Sequence, residues 1–332
     1  MITLENDTLV FRFPELHAEA EARIEFQRTL RIPDDDRDYP LPPGLGAFPL
    51  RHLDDFAKTL PAAWAKRGGV IMPMHQSEAM WLSFSGAYPC AIRIATGKID
   101  AVTGKTWKPG LRAKQQNYVV VPSQPWLDGY AVGEGVIRQF VAMPLGGGYT
   151  AEEQLTGAAE HGGLQIEVFP MKPEFYKHVR SEFVETSFGE DLVGAVQLAS
   201  AAPDMGLAPG GRMVQEIYED LYGISAWERD VSSRCYVSIA NSLAWAGITG
   251  QAPPSEPPSA ANYAAAGLPW FDFYGGDKTA LKGAKKLAKL KSVKQIGEAK
   301  GKTPLLENQS VEPGPVITLG DKGAAAVRES EF

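Results

Sequence analysis

The chain of 332 residues is 44% hydrophobic, 22% charged and 10% aromatic, which excludes wholesale disorder and a fibrous repeat and predicts a globular protein. Its two cysteines, Cys90 and Cys235, are too few for a disulfide framework and form no zinc-binding spacing. No secretory signal begins the chain and no apolar run approaches the roughly 18 residues that span a bilayer, so we expect a cytoplasmic protein without a transmembrane segment.

The net charge of −7 is unevenly distributed along the chain. Residues 277–302 contain nine lysines and two acidic residues, Asp277 and Glu298, so this stretch carries +7 and the rest carries −14 (−7 minus +7). The sequence therefore predicts an acidic body with a basic C-terminal arm.

The first 172 residues are predicted to be rich in antiparallel strands. The clearest strand is ARIEFQRTLRI, where apolar residues such as Ile24 and Phe26 alternate with polar ones such as Thr29 and Arg31. A proline- and aspartate-rich loop follows this strand. Further along, YPCAIRIATGKIDAVTGKTW is predicted to form a meander that turns at its Thr-Gly-Lys triplets, and NYVVVP and VIRQFVAMP are further predicted strands.

The oily stretch MPMHQSEAMWLSF contains a histidine and a glutamate three residues apart, His75 and Glu78. Pro73 disfavours an uninterrupted strand, so we predict a bend at Gln76 and Ser77 that lets the two side chains meet. Two interpretations follow. The pair is either a set of buried polar groups hydrogen-bonded for structural reasons or a catalytic acid–base pair.

A second candidate site is the loop SQPWLDGY, which two prolines and a glycine stiffen. We predict that it displays Gln124, Trp126, Asp128 and Tyr130, because an aromatic ring beside a carboxylate and an amide suits recognition of a sugar or a peptide. In the alternative interpretation, Trp126 anchors the loop to the core.

A third candidate is the glycine-rich junction PLGGGYT. Thr150 and Glu153 have the spacing of a capping box, so a helix is predicted to begin there. The backbone N–H groups of Gly147 and Gly148 are therefore candidates for binding an anion, although no lysine accompanies them in the sequence. The alternative is a flexible connection whose glycines serve backbone geometry.

Several familiar motifs are absent. VTGKTW resembles the end of a phosphate-binding loop, but Ile99 occupies the position of its first glycine. Asp34, Asp36 and Asp38 have the spacing that begins a calcium loop, but Tyr39 replaces its glycine. We therefore predict neither a metal nor a cofactor.

Both cysteines are predicted to be buried and structural. Cys90 is in phase with Ile92, and Cys235 is in phase with Val237, so each thiol lies on the apolar face of its strand.

Residues 173–275 are predicted to mix helices and strands. PEFYKHVRSEF begins with a proline in its first turn, and GRMVQEIYEDLYG has apolar residues at helical spacing, so we predict a helix for each. SRCYVSI is predicted as a strand, and Ser259 is predicted to cap a short alanine-rich helix.

Residues 276–332 are predicted to form a mobile, lysine-rich tail because large apolar residues become rare there. Its apolar residues, from Leu281 to Ile296, recur every three positions, so on an α-helix they would wind around the axis instead of forming one face. This pattern disfavours a membrane-lying helix, and the lack of arginine and aromatic residues between Asp277 and Lys302 weakens the case for sequence-specific nucleic-acid recognition. We expect the tail to bind an acidic partner or the acidic body of the chain itself.

Together these features predict an α+β fold with a strand-rich region at 1–172, a mixed region packed on it at 173–275 and a tail at 276–332. The leading functional hypothesis is a cytoplasmic binding or assembly protein that recognises a ligand or a protein through rigid aromatic loops. The rival is a hydrolase or lyase that uses His75, Glu78, Asp128 and Glu152 for acid–base work. A third hypothesis is a nucleic-acid accessory protein that acts through the tail. The identity of the partner and the oligomeric state are not predicted.

Overall fold

The computed structural model describes residues 1–179, 204–273, 278–303 and 305–319. Its strands are Ile2–Glu5 (β1), Thr8–Arg12 (β2), Glu21–Thr29 (β3), Asp38–Tyr39 (β4), Gly44–Ala47 (β5), Arg51–His52 (β6), Val70–Pro73 (β7), Ala79–Ser85 (β8), Cys90–Thr96 (β9), Ile99–Asp100 (β10), Val119–Val121 (β11), Trp126–Leu127 (β12), Gly129–Gly133 (β13), Val136–Pro144 (β14), Leu164–Pro170 (β15), Asp204–Val214 (β16), Ser233–Ala240 (β17), Trp270–Phe273 (β18) and Val316–Leu319 (β19).

The α-helices are short and lie between or after the strands. They are Ala62–Arg67 (α1), Ala151–Thr156 (α2), Pro173–Val179 (α3), Ser242–Thr249 (α4), Ala260–Ala265 (α5), Lys285–Ala288 (α6) and Val293–Ala299 (α7). Turns of 3-10 helix occur at Leu53–Phe56, Ile224–Ala226 and Leu306–Asn308.

Strands β1 to β17 are joined by hydrogen bonds into one sheet network, and β18 pairs with β19 separately. Most pairs in the network are antiparallel, for example β3 with β8, β9 with β15 and β14 with β16. The strand-rich α+β character predicted from the sequence is confirmed at this level. Strands β16 and β17, from the predicted mixed region, pair with β14 and β15 of the first region, so the sheet is continuous across residue 173.

Strand β3 illustrates how the sequence pattern becomes a buried face. Ile24 and Phe26 are fully buried, whereas Gln27 is partly exposed, as the alternation predicts. Thr29 and Arg31 were expected on the polar face, but both are buried. The loop after β3 folds over Thr29, whose hydroxyl donates to the backbone oxygen of Pro43. The C-terminal part of the chain contacts Arg31, whose guanidinium donates to Asn308.

Local start signals placed three helices correctly. The hydroxyl of Thr150 accepts from the N–H of Glu153, whose carboxylate accepts from the N–H of Thr150, which is the predicted capping box of α2. Helix α3 begins at Pro173, and Ser259 caps α5.

The helix predicted for GRMVQEIYEDLYG is wrong. Its first four residues end strand β16, where Met213 pairs with Ile137 of β14. The next residues bond to side chains instead of forming a helical turn, because Gln124 accepts from the N–H of Tyr218 and Gln116 accepts from the N–H of Asp220. Sheet pairing therefore overrides an apolar pattern that is compatible with a helix.

Residues 278–303, which we call the C-terminal segment, differ from the tail expected from their composition. The apolar residues that recur every third position, apart from Leu281, are buried against the body, and they are Ala284, Leu287, Leu290, Val293 and Ile296. Short helices α6 and α7, separated by a turn, allow every third residue to face inward although one continuous α-helix would not. Residues 320–332 of the predicted tail lie outside the described residues. No described helix is long and apolar enough to cross a membrane.

Candidate functional site

The turn between β7 and β8 brings His75 beside Ser242. Strands β7 and β17 are parallel neighbours in which Pro73 is opposite Ala240. His75 and Ser242 each lie two residues beyond this pair, so the ends of the two strands bring them together at the same edge of the sheet. The N–H of Met74 donates to the oxygen of Ala240, which holds the two strand ends in contact.

His75 has a defined hydrogen-bonding state in this arrangement. Its Nε2 lies 2.7 Å from the backbone oxygen of Pro254, which can only accept, so Nε2 carries the proton. Nδ1 then accepts from the Ser242 hydroxyl, 2.8 Å away. Both residues are buried, with 6% and 7% of their surface exposed. The imidazole thus lies between a hydroxyl and a carbonyl, an arrangement in which it can take a proton from the serine.

The Glu78 carboxylate is hydrogen-bonded to the backbone N–H of His75 and not to its imidazole ring. One carboxylate oxygen accepts from the N–H of His75 at 2.8 Å, and the other accepts from the guanidinium of Arg28 at 2.7 Å. Burial raises the pKa of Glu78, and the ion pair with Arg28 opposes that shift. The predicted bend is confirmed, since Gln76 and Ser77 form the turn and Ser77 has a left-handed φ of 68°.

The loop at residues 122–130 holds most of its polar side chains inward. Gln124 donates to the backbone oxygens of Trp126 and Glu216, and the hydroxyl of Tyr130 lies 2.8 Å from the oxygen of Leu207. Gln124, Asp128 and Tyr130 are all buried. The loop therefore does not display these three groups to a ligand as the sequence suggested.

Trp126 is the only one of these four candidates that remains partly exposed. Its ring packs edge-on against Phe273 and Trp81, with centroid distances of 4.6 Å and 6.4 Å. Trp81 and Phe273 are themselves partly exposed. The three rings form a surface cluster that both anchors the loop and leaves aromatic area in contact with solvent.

In the glycine-rich loop before α2, one of the backbone N–H groups that could bind an anion already donates to a carboxylate of the chain itself. The N–H of Gly148 donates to the Glu153 carboxylate at 2.7 Å. The lysine that is absent from the local sequence is supplied by the C-terminal segment, because the Lys300 ammonium donates to the oxygen of Gly147 and lies over the ring of Tyr149 at 4.6 Å. Any anion recognised here would therefore be bound mainly by lysines of the C-terminal segment.

A cavity of about 60 Å³ lies between the body and the C-terminal part of the chain. The body contributes Gln76, Met143 and Tyr149, and the C-terminal part contributes Val293, Lys294, Gly297, Glu298, Lys302, Thr303, Leu305 and Asn308. The 75–78 turn thus borders this cavity through Gln76, whereas no residue of the 124–130 loop lines it.

Glu152 has a different histidine partner from the one considered in the sequence. One of its carboxylate oxygens lies 3.0 Å from Nδ1 of His161, and the other accepts from the N–H groups of His161 and Gly162. His75, Asp128 and Glu152 therefore belong to separate hydrogen-bonded networks among the described residues. Within the same described ranges, no group of three histidine, cysteine or acidic residues is arranged to hold a metal.

Both cysteines are buried, as strand parity predicted. Burial raises the pKa of Cys235 to about 12 and raises the pKa of Cys90 further. Neither thiol is therefore activated as a nucleophile.

Sequence reasoning missed Ser242, Arg31 and His161. Ser242 is an ordinary residue in the first turn of a helix, 167 positions from His75, and only the parallel pairing of β7 with β17 brings the two together. Comparison with known proteins gives no assignment, because no family model, curated protein or solved structure matches the chain significantly.

Proposed function

We propose that this chain is a binding or assembly protein and that the C-terminal segment carries its main recognition surface. Eight lysines of the segment have exposed side chains, a set we call the lysine surface: Lys278, Lys282, Lys285, Lys286, Lys289, Lys291, Lys300 and Lys302. Among the described residues, none of them pairs with a carboxylate within 4 Å. An accessible basic surface on an otherwise acidic protein favours an acidic partner.

The observation that carries this proposal is the burial of the apolar residues between these lysines. Leu287 is fully buried and Leu290 and Val293 are nearly so, which fixes the backbone that presents the charges. A surface that is ordered before binding loses less conformational entropy when a partner arrives than a mobile tail does.

We favour an acidic protein segment as the partner over a nucleic acid. The stretch from 277 to 302 contains no arginine for base or phosphate forks and no aromatic residue for base stacking. Recognition of a carboxylate-rich peptide requires only the positive charge that these lysines supply.

The test is the affinity of a fluorescent oligo-glutamate peptide, measured by anisotropy at low salt. The triple variant Lys285→Ala, Lys286→Ala, Lys289→Ala is expected to bind at least about tenfold more weakly than the wild type, since each lost contact contributes a fraction of a kcal/mol to about 1 kcal/mol. The control variant replaces three exposed lysines of the body, Lys58, Lys66 and Lys114, with alanine. Its net charge therefore equals that of the triple variant. Equal losses in both variants, or tighter binding of a DNA duplex than of the peptide, would contradict the proposal.

A second recognition surface is the cluster of Trp81, Trp126 and Phe273. This is the part of the aromatic-loop hypothesis that exposure supports, and the apolar C–H face of a sugar ring is the ligand that these flat aromatic rings would suit best. Trp126→Ala is expected to abolish quenching of tryptophan fluorescence by soluble oligosaccharides. Leu221→Ala is the control, because Leu221 is 75% exposed and lies outside the aromatic cluster, and it is expected to leave the quenching unchanged. Absence of any quenching in the wild type would remove this candidate.

The hydrogen bond between Ser242 and His75 favours hydrolysis as a second candidate function. In this candidate, Nδ1 of His75 takes the hydroxyl proton as Ser242 attacks an acyl carbon, and it returns that proton to the alcohol or amine that leaves. A water activated by the same nitrogen then hydrolyses the acyl-serine ester and restores the Ser242 hydroxyl. A fluorophosphonate probe is then expected to label Ser242 in the wild type and to label neither Ser242→Ala nor His75→Gln. Absence of labelling in the folded wild type would exclude this role.

A further inference from the structure

The cavity beside the C-terminal segment has room for a small ion but not for a drug-sized molecule. Its volume of about 60 Å³ corresponds to a few water-sized spheres, whereas ordinary ligand pockets occupy roughly 300–1,000 Å³. A ligand that fits is therefore a single compact group, either free or attached to something larger outside.

A buried arginine lies behind the wall of this cavity. Arg31 is only 4% exposed, and its Nη2 donates to Oδ1 of Asn308 at 2.7 Å, which itself lines the cavity. Nε and Nη1 of Arg31 have no hydrogen-bond partner among the described residues. Burial lowers the pKa of Arg31, and Glu307 and Asp34 oppose that shift, although neither forms an ion pair with it.

Among the described residues, no carboxylate near Arg31 or the cavity forms an ion pair with the guanidinium. Glu307, the carboxylate whose charge acts most strongly on Arg31, is partly exposed. Asp34 pairs with Arg138 at 3.3 Å and accepts from the N–H of Lys294. Glu298 lines the cavity but is exposed to solvent. A buried guanidinium with two unpartnered nitrogens, which together carry three N–H groups, and no paired carboxylate is costly, so an anion that reaches it would stabilise the folded state.

Two lysines complete the positive charge around the cavity. Lys294 and Lys302 line it, and the Lys302 ammonium lies over the ring of Tyr149 at 5.3 Å. Residues that can donate hydrogen bonds therefore line the cavity on both sides, Gln76 on the body and the two lysines on the C-terminal segment. Several donors that converge from different directions suit a tetrahedral oxyanion better than a planar carboxylate.

We propose that this cavity binds a phosphate-class oxyanion, held by Lys294, Lys302 and Asn308 of its lining, with the buried Arg31 behind Asn308 supplying further positive charge. The inference rests on the proposed function, since it makes the cavity the most selective part of the lysine surface. The same phosphate chemistry can come from a free ion or from a phosphorylated side chain of an acidic partner.

The first experiment follows the midpoint of thermal unfolding as sodium phosphate replaces sodium chloride at constant ionic strength. The wild type is expected to unfold at a higher temperature in phosphate, because an ion that binds only the folded state stabilises it. Lys302→Ala is expected to need about tenfold more phosphate for the same shift. Arg31→Met is expected to lose the shift, and Lys289→Ala, a matched lysine on the surface, is expected to keep it.

The proposal is overturned if phosphate acts like chloride on the wild type, if acetate acts as strongly as phosphate, or if Lys302→Ala responds like Lys289→Ala. Lys302→Ala keeps the test decisive if Arg31→Met fails to fold, because its side chain is exposed.

A second measurement identifies the source of the phosphate and separates this inference from the proposed function. A phosphoserine peptide is compared with its unphosphorylated form on the wild type and on the triple lysine variant. If the triple variant still binds the phosphopeptide more tightly than the unphosphorylated peptide, the cavity binds a phosphate carried by a partner. If the protein responds to inorganic phosphate but does not prefer the phosphopeptide, the cavity binds a free ion. Oligo-glutamate binding without any phosphate effect would overturn the cavity site only, whereas a phosphate effect without oligo-glutamate binding would overturn the lysine surface only.

Discussion

Asp128 and Gln215 hold each other through two hydrogen bonds. The N–H of Asp128 donates to Oε1 of Gln215 at 3.0 Å, and Nε2 of Gln215 donates to the Asp128 carboxylate at 2.5 Å. This pair joins the 122–130 loop to the chain that follows β16. It ties the loop to the body of the protein and explains why the Asp128 carboxylate is not available to a ligand.

This pair predicts a specific pH dependence of stability. Burial raises the pKa of Asp128 to about 7, while hydrogen bonds from Gln215 and Trp126 oppose the shift. The unfolded chain releases the same proton near pH 4, so between about pH 4 and 7 the folded state binds more protons and its free energy of unfolding falls as the pH rises.

Asp128→Asn stays neutral throughout this range. The difference in unfolding free energy between variant and wild type is therefore expected to move in the variant's favour by up to about 4 kcal/mol between pH 4 and 7. Urea denaturation at several pH values measures it. A difference that stays constant with pH would show that Asp128 titrates normally.

The buried ion pair of Arg28 and Glu78 predicts strong coupling between the two positions. Arg28→Met alone leaves the Glu78 carboxylate buried without its cation, and is expected to lower the free energy of unfolding by about 3–5 kcal/mol. The double variant Arg28→Met, Glu78→Leu is expected to be closer to the wild type than the sum of its single changes. The partly exposed pair of Arg23 with Glu21 provides the control, for which Arg23→Ala is expected to cost less than about 1 kcal/mol. Additive effects at 28 and 78 would contradict the buried pair.

The packing of the C-terminal segment predicts a large effect at Leu287. Its side chain is fully buried, so Leu287→Ala is expected to cost about 2–5 kcal/mol of unfolding free energy. The neighbouring exposed position, Lys289→Ala, is expected to change stability by less than about 0.5 kcal/mol. Equal, small effects at both positions would contradict the packing of the segment against the body and would support the mobile tail that its composition predicts.

The burial of both thiols predicts slow alkylation of the native protein. Cys90 is fully enclosed and Cys235 is 8% exposed, and the raised pKa of each thiol keeps it protonated at neutral pH. Iodoacetamide is expected to modify both within minutes in denaturant and neither under native conditions, as mass spectrometry can measure. Rapid native labelling of Cys235 would contradict the parity argument.

Predictions that depend on neighbouring residues were the most successful. The capping box of Thr150 and Glu153 and the inward parity of Cys90 and Cys235 each follow from a few adjacent positions. The bend at Gln76 and Ser77 also followed from local signals, chiefly Pro73.

Contacts distant in sequence could not be predicted in this way. The hydrogen bond between His75 and Ser242 depends on the parallel pairing of β7 with β17, and no pattern of neighbouring residues predicts that pairing. The sequence shows that apolar residues recur every three positions from Leu281 to Ile296. The prediction that they do not share a buried face follows only if the segment is one continuous α-helix. Two short helices joined by a turn place these residues inward, except Leu281, which is only partly buried.

The central claim is that the lysine surface recognises an acidic partner, and the most direct measurement is the salt dependence of oligo-glutamate binding. For the wild type, the logarithm of the association constant is expected to fall steeply and linearly with the logarithm of salt concentration, because lysine contacts release counterions. The Lys285, Lys286, Lys289 triple variant is expected to show a shallower slope, while the Lys58, Lys66, Lys114 control keeps that of the wild type. Identical slopes for all three proteins, or binding insensitive to salt, would contradict the claim.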